Sequence, residues 1–383
     1  MKKILIDNCV PLNNGDAALI MGLFKQLAKK NYDIGFSCLD QARVKQVYPS
    51  FTWYKSHINT LFYKLCFKNN LFVWFWKIVM FVRLIWFDNE YKRANIIISA
   101  PGGYIHSYYG IEARMYILYL CKMHLHKKVG IYSQSIGNLT PHDQKVFKKY
   151  GQYLDFIFAR DEVSYNRAKE YGLTNNLTLT KDAAFLLKTD QKNLENNSKK
   201  IAISLRNWTK ENRSMNSYFS QINEAVSYLL DNNYDITFLS TCQGIENYVD
   251  DSEVAKAFVK HFNYENNQNI HVNDSYHTLN DLQALIRQYD FIIGTRLHMC
   301  LLAWINNVPA FNISYEEKGR ESYRYLGLDA YTIDFNATDI LTKLPTFLRT
   351  ANKKEIFNRV DKVSQEQQAL FASLENNDFE GVY

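Results

Sequence analysis

Residues 291–320 read FIIGTRLHMCLLAWINNVPAFNISYEEKGR, and this stretch decides the fold. Phe291–Gly294 is a short apolar run that stops at Gly294-Thr295. A helical stretch then runs from about Arg296 to Asn306, and a second apolar run follows at 310–313. Strand, helix and strand in close succession make a βαβ unit, which implies a parallel sheet. Working outward, the same alternation recurs. Strands are expected at 201–205 and 236–240, with helices at 218–231, 252–262 and 278–288. Before the polar stretch 189–200 (TDQKNLENNSKK), strands are expected at 4–6, 34–38, 95–99, 129–133 and 156–159, with helices at 17–29 and 112–124. The expected fold class is therefore α/β: two Rossmann-like domains with parallel sheets facing a cleft. The expected boundaries are 1–190 for the first domain, with an apolar and basic insert at 54–93, and 198–343 for the second. A helical segment, 344–383, is expected to pack back across the junction.

The bulk composition agrees. A chain of 383 residues favours two domains. Its 47% apolar and 22% charged residues exclude a mainly disordered polypeptide. With only 15 Gly and 6 Pro, collagen-like and Pro-rich architectures are excluded too. The net charge of +6 is too small to indicate nucleic acid, and suits an anionic substrate or partner. The six cysteines form no C-x-x-C pair and no zinc-site spacing, so they read as buried free thiols and no metal is expected. At the N-terminus, Asp7 and Asn8 break the apolar run too early for a signal peptide, which leads us to expect a cytoplasmic protein.

In open α/β sheets, ligands bind beyond the carboxyl ends of the strands, so the strand-to-helix loops are searched for chemistry. Asn14-Gly15-Asp16 opens the first helix. Asp16 reads either as a helix cap or, with Asn14, as a holder of a sugar hydroxyl. Gly102-Gly103 would let backbone amides approach an anion, although no Walker or dinucleotide pattern surrounds them. Gln134-Ser135 and Arg160 end two further strands, and Arg160 reads as a ligand contact or as an internal pair with Asp161, which would cap the next helix. Arg206 ends the strand IAISL in the second series. Thr295, Arg296 and His298 stand where a helix N-terminus attracts anions. There Arg296 offers a planar fork, and His298 a proton carrier near neutral pH. Glu316 and Lys318 follow the next strand at the same rim.

Taken in order, these blocks resemble the polysaccharide pyruvyltransferase family. They comprise Asn13, Gly15, Asp16 and Ala17; Gly102-Gly103; QSIG at 134–137; RDE-x-S at 160–164; and D-x-AF-L at 182–186. The last block is GTRLH at 294–298, with Ala303, Val308-Pro309, Tyr315 and Lys318. Tyr104 stands where a third Gly is commoner, and Ser133 and Asn138 flank QSIG where Gly and Pro are typical. The resemblance implies a GT-B-like fold. It also implies transfer of pyruvate from phosphoenolpyruvate (PEP) to two hydroxyls of a sugar in a surface-polysaccharide precursor, forming a cyclic ketal and releasing phosphate. PEP is then the donor substrate, with no further cofactor. The acceptor is expected to be a sugar on a polyprenyl diphosphate. Arg296, with Arg160 or Arg206, would hold the PEP anion; His298 would be the acid/base, and Asp16 or Glu316 the acceptor-side carboxylate. Two other readings stay open: a GT-B nucleotide-sugar glycosyltransferase, and a non-catalytic saccharide-binding scaffold in capsule assembly.

The segment 71–87, LFVWFWKIVMFVRLIWF, has fifteen apolar residues of seventeen, and is shorter than a spanning helix and interrupted by Lys77 and Arg83. It reads as a helix buried in the first domain, as a dimer interface, or as a helix lying in a membrane surface. Between Tyr54 and Arg93, seven basic residues face only Asp88 and Glu90, which suits anionic lipid. The expected location is therefore peripheral, on the inner face of the cytoplasmic membrane.

Overall fold

The computed structural model describes all residues except 59, 69–71, 189–197, 210–213, 247, 352–353, 378 and 380–383. Most of the expected polar linker, 189–197, lies outside the described residues. The chain forms two compact units. The first holds Met1–Pro11, Leu19–Leu186 and the chain from Glu366; the second holds Leu12–Ala18 and Leu187–Gln365.

The first unit is built on β1 (Lys3–Cys9), β2 (Asp33–Cys38), β3 (Thr52–Lys55), β4 (Ile96–Ser99), β5 (Gly102–Ile105), β6 (Lys128–Ile136), β7 (Phe156–Ala159) and β8 (Leu177–Leu179). Their order is β3-β2-β1-β4-β6-β7-β8, with β5 beside β6, and the pairings are parallel. The second unit carries β9 (Lys200–Ser204), β10 (Asp235–Phe238), β11 (Ile270–Val272), β12 (Phe291–Gly294), β13 (Ala310–Ser314) and β14 (Thr332–Asp334). These lie in the order β11-β10-β9-β12-β13-β14, again parallel. Helices cover both faces of such sheets, so central strands are apolar throughout. IIIS in β4 and FIIG in β12 are buried at every residue.

Each sheet begins at its centre, grows to one side, then crosses to the other. The strand order therefore reverses between β1 and β4 in the first sheet and between β9 and β12 in the second. Those two switch points, at the carboxyl ends of the strands, are where open α/β sheets place ligands.

Two expectations are corrected. Gly102-Gly103 is not an open loop but part of β5, with Gly102 opposite Gln134. The first helix begins at Asn14, not at residue 17, so Asn14, Gly15 and Asp16 all lie on it. Asn13 supports its start, accepting through Oδ1 from the Gly15 amide at 3.0 Å, so Asp16 sits in the first turn rather than capping it. The C-terminal stretch forms two helices, Ile340–Thr350 and Lys354–Asn376.

The insert folds as helices Leu61–Phe67 and Val73–Val82, a π-turn at Arg83–Phe87, and a short helix, Asn89–Arg93. Tyr63, Cys66, Trp76, Met80 and Leu84 from this insert join the hydrophobic core of the first unit.

Candidate functional site

In the second unit, β9 and β12 end side by side, and Thr295 N–H donates to the Ser204 carbonyl at 2.9 Å. Thr295 is buried, its hydroxyl 2.6 Å from that of Tyr218. Arg296 is the residue before helix Leu297–Ile305 and has an extended backbone there. Its guanidinium meets Asp251 in two parallel contacts, Nε to Oδ2 at 2.6 Å and Nη2 to Oδ1 at 2.8 Å. Both residues are buried, and Ser240 Oγ donates to the same Oδ2 at 2.6 Å. Burial opposes the charge on Arg296, but the carboxylate outweighs it and holds the guanidinium above its ordinary value. The fork expected to grip a substrate anion is thus engaged by Asp251, a residue the loop search did not reach.

His298 lies in the first turn of that helix, half-buried, and packs against Gly15 of the N-terminal segment. A Cβ on Gly15 would come within 2.8 Å of His298 Nδ1, so no side chain fits there without moving the ring. Asn14 anchors this contact: its N–H donates to Thr241 O at 2.8 Å and its Nδ2 to His277 O at 2.8 Å. Asn14 Oδ1 is buried and has no hydrogen-bond partner among the described residues. A buried acceptor left in this way is costly unless a ligand donor fills it. Asp16 follows Gly15 in the same helical turn.

Arg206 is engaged differently. Its guanidinium stands 4.7 Å from the Trp208 ring and 4.4 Å from the Tyr315 ring, and bonds the Tyr315 hydroxyl. Among the described residues no carboxylate pairs with it. The half-buried Lys318 instead pairs with Glu316. Burial pushes the thiols of Cys242 and Cys300 up to about 12, so neither supplies a thiolate in this region. Among the described residues no group of three or more His, Cys, Asp or Glu stands together as a metal site.

The first unit holds Gly102, Gly103, Gln134, Ser135 and Arg160. Gln134 bridges the Ala100 carbonyl and the Tyr104 amide, which ties β5 to β6. A Cβ on Gly102, whose φ is +151°, would strike the Tyr104 ring at 2.4 Å. Arg160 donates to Ser135 Oγ at 2.6 Å and to Asp182 Oδ2 at 3.0 Å. The internal pair expected with Asp161 is thus made mainly with Asp182, while Asp161 caps helix Glu162–Glu170 through the Ser164 amide at 2.7 Å. Arg160 Nη2 is buried without a hydrogen-bond partner among the described residues. Ser133, where the resembled family favours Gly, adopts φ 49°. Its hydroxyl compensates by accepting from Ala183 N–H at 2.9 Å and donating to Lys181 O at 3.1 Å.

Sequence reading missed the cluster at the first switch point. Asp7, 1% exposed, accepts from Asn8 Nδ2 at 2.7 Å, Tyr91 Oη at 2.5 Å and Ser37 Oγ. Arg114 donates to Ser99 Oγ at 2.6 Å, and its guanidinium lies 4.7 Å from the Tyr104 ring. Burial pulls the Arg114 guanidinium down, against the opposing pull of Tyr104 and Asp7. The available signal was a carboxylate inside an apolar parallel strand, which requires buried partners.

Comparison with known proteins follows from this geometry. The family model described as polysaccharide pyruvyl transferase matches residues 13–317. The amylovoran biosynthesis protein AmsJ of Erwinia amylovora is 22% identical, with 97% of each chain covered. Among solved structures, the UDP-GlcNAc 2-epimerase of Methanocaldococcus jannaschii superposes with a TM-score of 0.60 at 13% identity, covering 97% of this chain and 100% of that one. A glycosyltransferase from Rickettsia africae gives 0.59 at 10% identity, covering 96% and 93%. At these identities the likeness is one of fold, and that fold is GT-B-like.

Proposed function

Because the chain belongs to the polysaccharide pyruvyl transferase family, we propose that it moves pyruvate from PEP onto two hydroxyls of a sugar in a polysaccharide precursor, closing a cyclic ketal and releasing phosphate. The observation that carries this reading is the contact between Gly15 and His298. It brings a proton carrier at a helix N-terminus against the turn that holds Asn14 and Asp16.

PEP brings a phosphate and a carboxylate on a three-carbon skeleton. The amides opening helix Leu297–Ile305 and the Arg206 guanidinium supply positive potential without a metal. Arg296 contributes by holding that helix start in place through Asp251. His298 delivers a proton to C3 of PEP, which leaves C2 electron-poor. A sugar hydroxyl attacks C2, its proton passing to a carboxylate for which Asp16 is the candidate. The C2–O bond to phosphate breaks, and a second hydroxyl adds to C2 and closes the ring, returning its proton to His298. Asn14 Oδ1 accepts a hydrogen bond from an acceptor hydroxyl. The acceptor class is a sugar carried on a polyprenyl diphosphate.

The test is incubation with PEP and candidate lipid-linked sugars. We expect phosphate release and a product heavier by one pyruvate less one water. Transfer that requires a UDP- or GDP-sugar, or saccharide binding without turnover, overturns the reading.

A further inference from the structure

We infer that the insert docks the first unit on an anionic lipid surface, with helix Val73–Val82 and its π-turn lying in the plane of the headgroups. A helix that is apolar all round is ordinarily enclosed, and this one is enclosed on one side only. Trp76, Met80 and Leu84 are at most 3% exposed, whereas Trp74, Ile78 and Trp86 are 62%, 51% and 63% exposed. Phe75 and Val82 lie on the same outer stripe. On the preceding helix Leu61 and Leu65 are exposed in the same way. Of the large apolar residues exposed among those described, about half lie between residues 61 and 87. So dense an apolar patch marks an interaction surface.

Charge decides what covers it. Residues 61–87 contain Lys64, Lys68, Lys77 and Arg83 and no Asp or Glu. Lys77 is engaged by Glu112. Lys64, Lys68 and Arg83 are exposed, and none of the three is paired with a carboxylate among the described residues. Lys64 lies on helix Leu61–Phe67 among its exposed residues, and Lys68 follows at its C-terminal cap, still helical in backbone and four residues on, the spacing that also separates Leu61 from Leu65. A second copy docking by the same face would set these cations against themselves. An anionic lipid surface complements both the charge and the apolar stripe, and tryptophans beside basic residues suit the boundary between headgroups and acyl chains. Spanning is excluded for this segment: no helix among the described residues is long and apolar enough, and helix plus π-turn reach about 22 Å against the roughly 30 Å of hydrocarbon.

The inference does not rest on the proposed reaction, and its test reads no activity. The full chain is sedimented with phosphatidylcholine vesicles, alone or containing phosphatidylglycerol. We expect it to pellet with the anionic vesicles at low salt, to be released as salt rises, and to stay in the supernatant with phosphatidylcholine alone. Lys64→Gln, Lys68→Gln and Arg83→Gln should each lower the partition coefficient about fivefold. The pair Trp74→Ser and Trp86→Ser should abolish binding while leaving the far-UV circular dichroism unchanged, because both rings lie outside the core. The lysine variants keep the test decisive if the tryptophan pair misfolds. Three results overturn the inference: wild type remaining in the supernatant with anionic vesicles at low salt, binding indifferent to lipid charge, or a dimer in sedimentation velocity that the tryptophan pair dissociates.

Discussion

At the switch point of the first sheet, Asp7 takes three hydrogen bonds and Arg114 is buried against Ser99 and Tyr104. The equivalent place in the second sheet has a buried ion pair, Asp251 with Arg296, and sets beside it the half-buried His298 and Arg206. The first region satisfies its polar groups internally and reads as support. The second uses one buried pair to fix a helix start and keeps other groups within reach of a ligand. The contrast teaches that an arginine at a strand end is not by itself a substrate contact, because what the rest of the chain places beside it decides its role.

Asp251→Ala should produce the largest effect. It leaves Arg296 buried without its carboxylate and should cost about 3–5 kcal/mol in denaturant unfolding. A loss below about 1 kcal/mol would mean that the pair does not hold this helix start. Asp7→Ala leaves the donors of Asn8, Ser37 and Tyr91 without an acceptor and should cost about 3 kcal/mol. The comparison breaks if this variant instead stays stable and loses turnover. His298→Ala should keep its stability and lower kcat by about 10²-fold or more; a change confined to KM would make His298 a binding group only. Arg206→Gln should lower kcat/KM for PEP by about 2 kcal/mol, the size of a charge-assisted contact, with little change in unfolding. Unchanged PEP kinetics would return the anion site to Arg296 or Arg160. Gly15→Ala should have the smallest effect. Helix propensity favours Ala by up to about 1 kcal/mol, yet the new Cβ must push the His298 ring. We expect about a tenfold loss of kcat, a fraction of what a misplacement near 1 Å can cost. Full activity in this variant would show that the ring position is not critical.

The central strands were legible because a strand buried on both faces needs an unbroken apolar run, as in Ile96–Ser99 and Phe291–Gly294. The strands that escaped notice, Thr52–Lys55, Leu177–Leu179, Ile270–Val272 and Thr332–Asp334, are the outermost of each sheet. An edge strand is short and partly exposed, so its composition resembles a loop. Gly102–Ile105 was hidden for another reason: a glycine pair signals a turn, and only pairing with β6 makes it a strand.

The sequence by itself determined the fold class, the family blocks and the position of His298 at a strand–helix junction, because these follow from local apolar periodicity and from neighbours along the chain. It also determined that 61–87 is apolar and free of acidic residues. Tertiary structure alone decided that Arg296 is engaged by Asp251, 45 residues away, and that Gly15 lies against His298. It alone decided that Trp76 is inside while Trp74 and Trp86 are outside. The physical reason is the same in each case. Partner choice and burial depend on which surfaces meet, and a helix that is apolar on every side carries no periodicity to say which side will be covered.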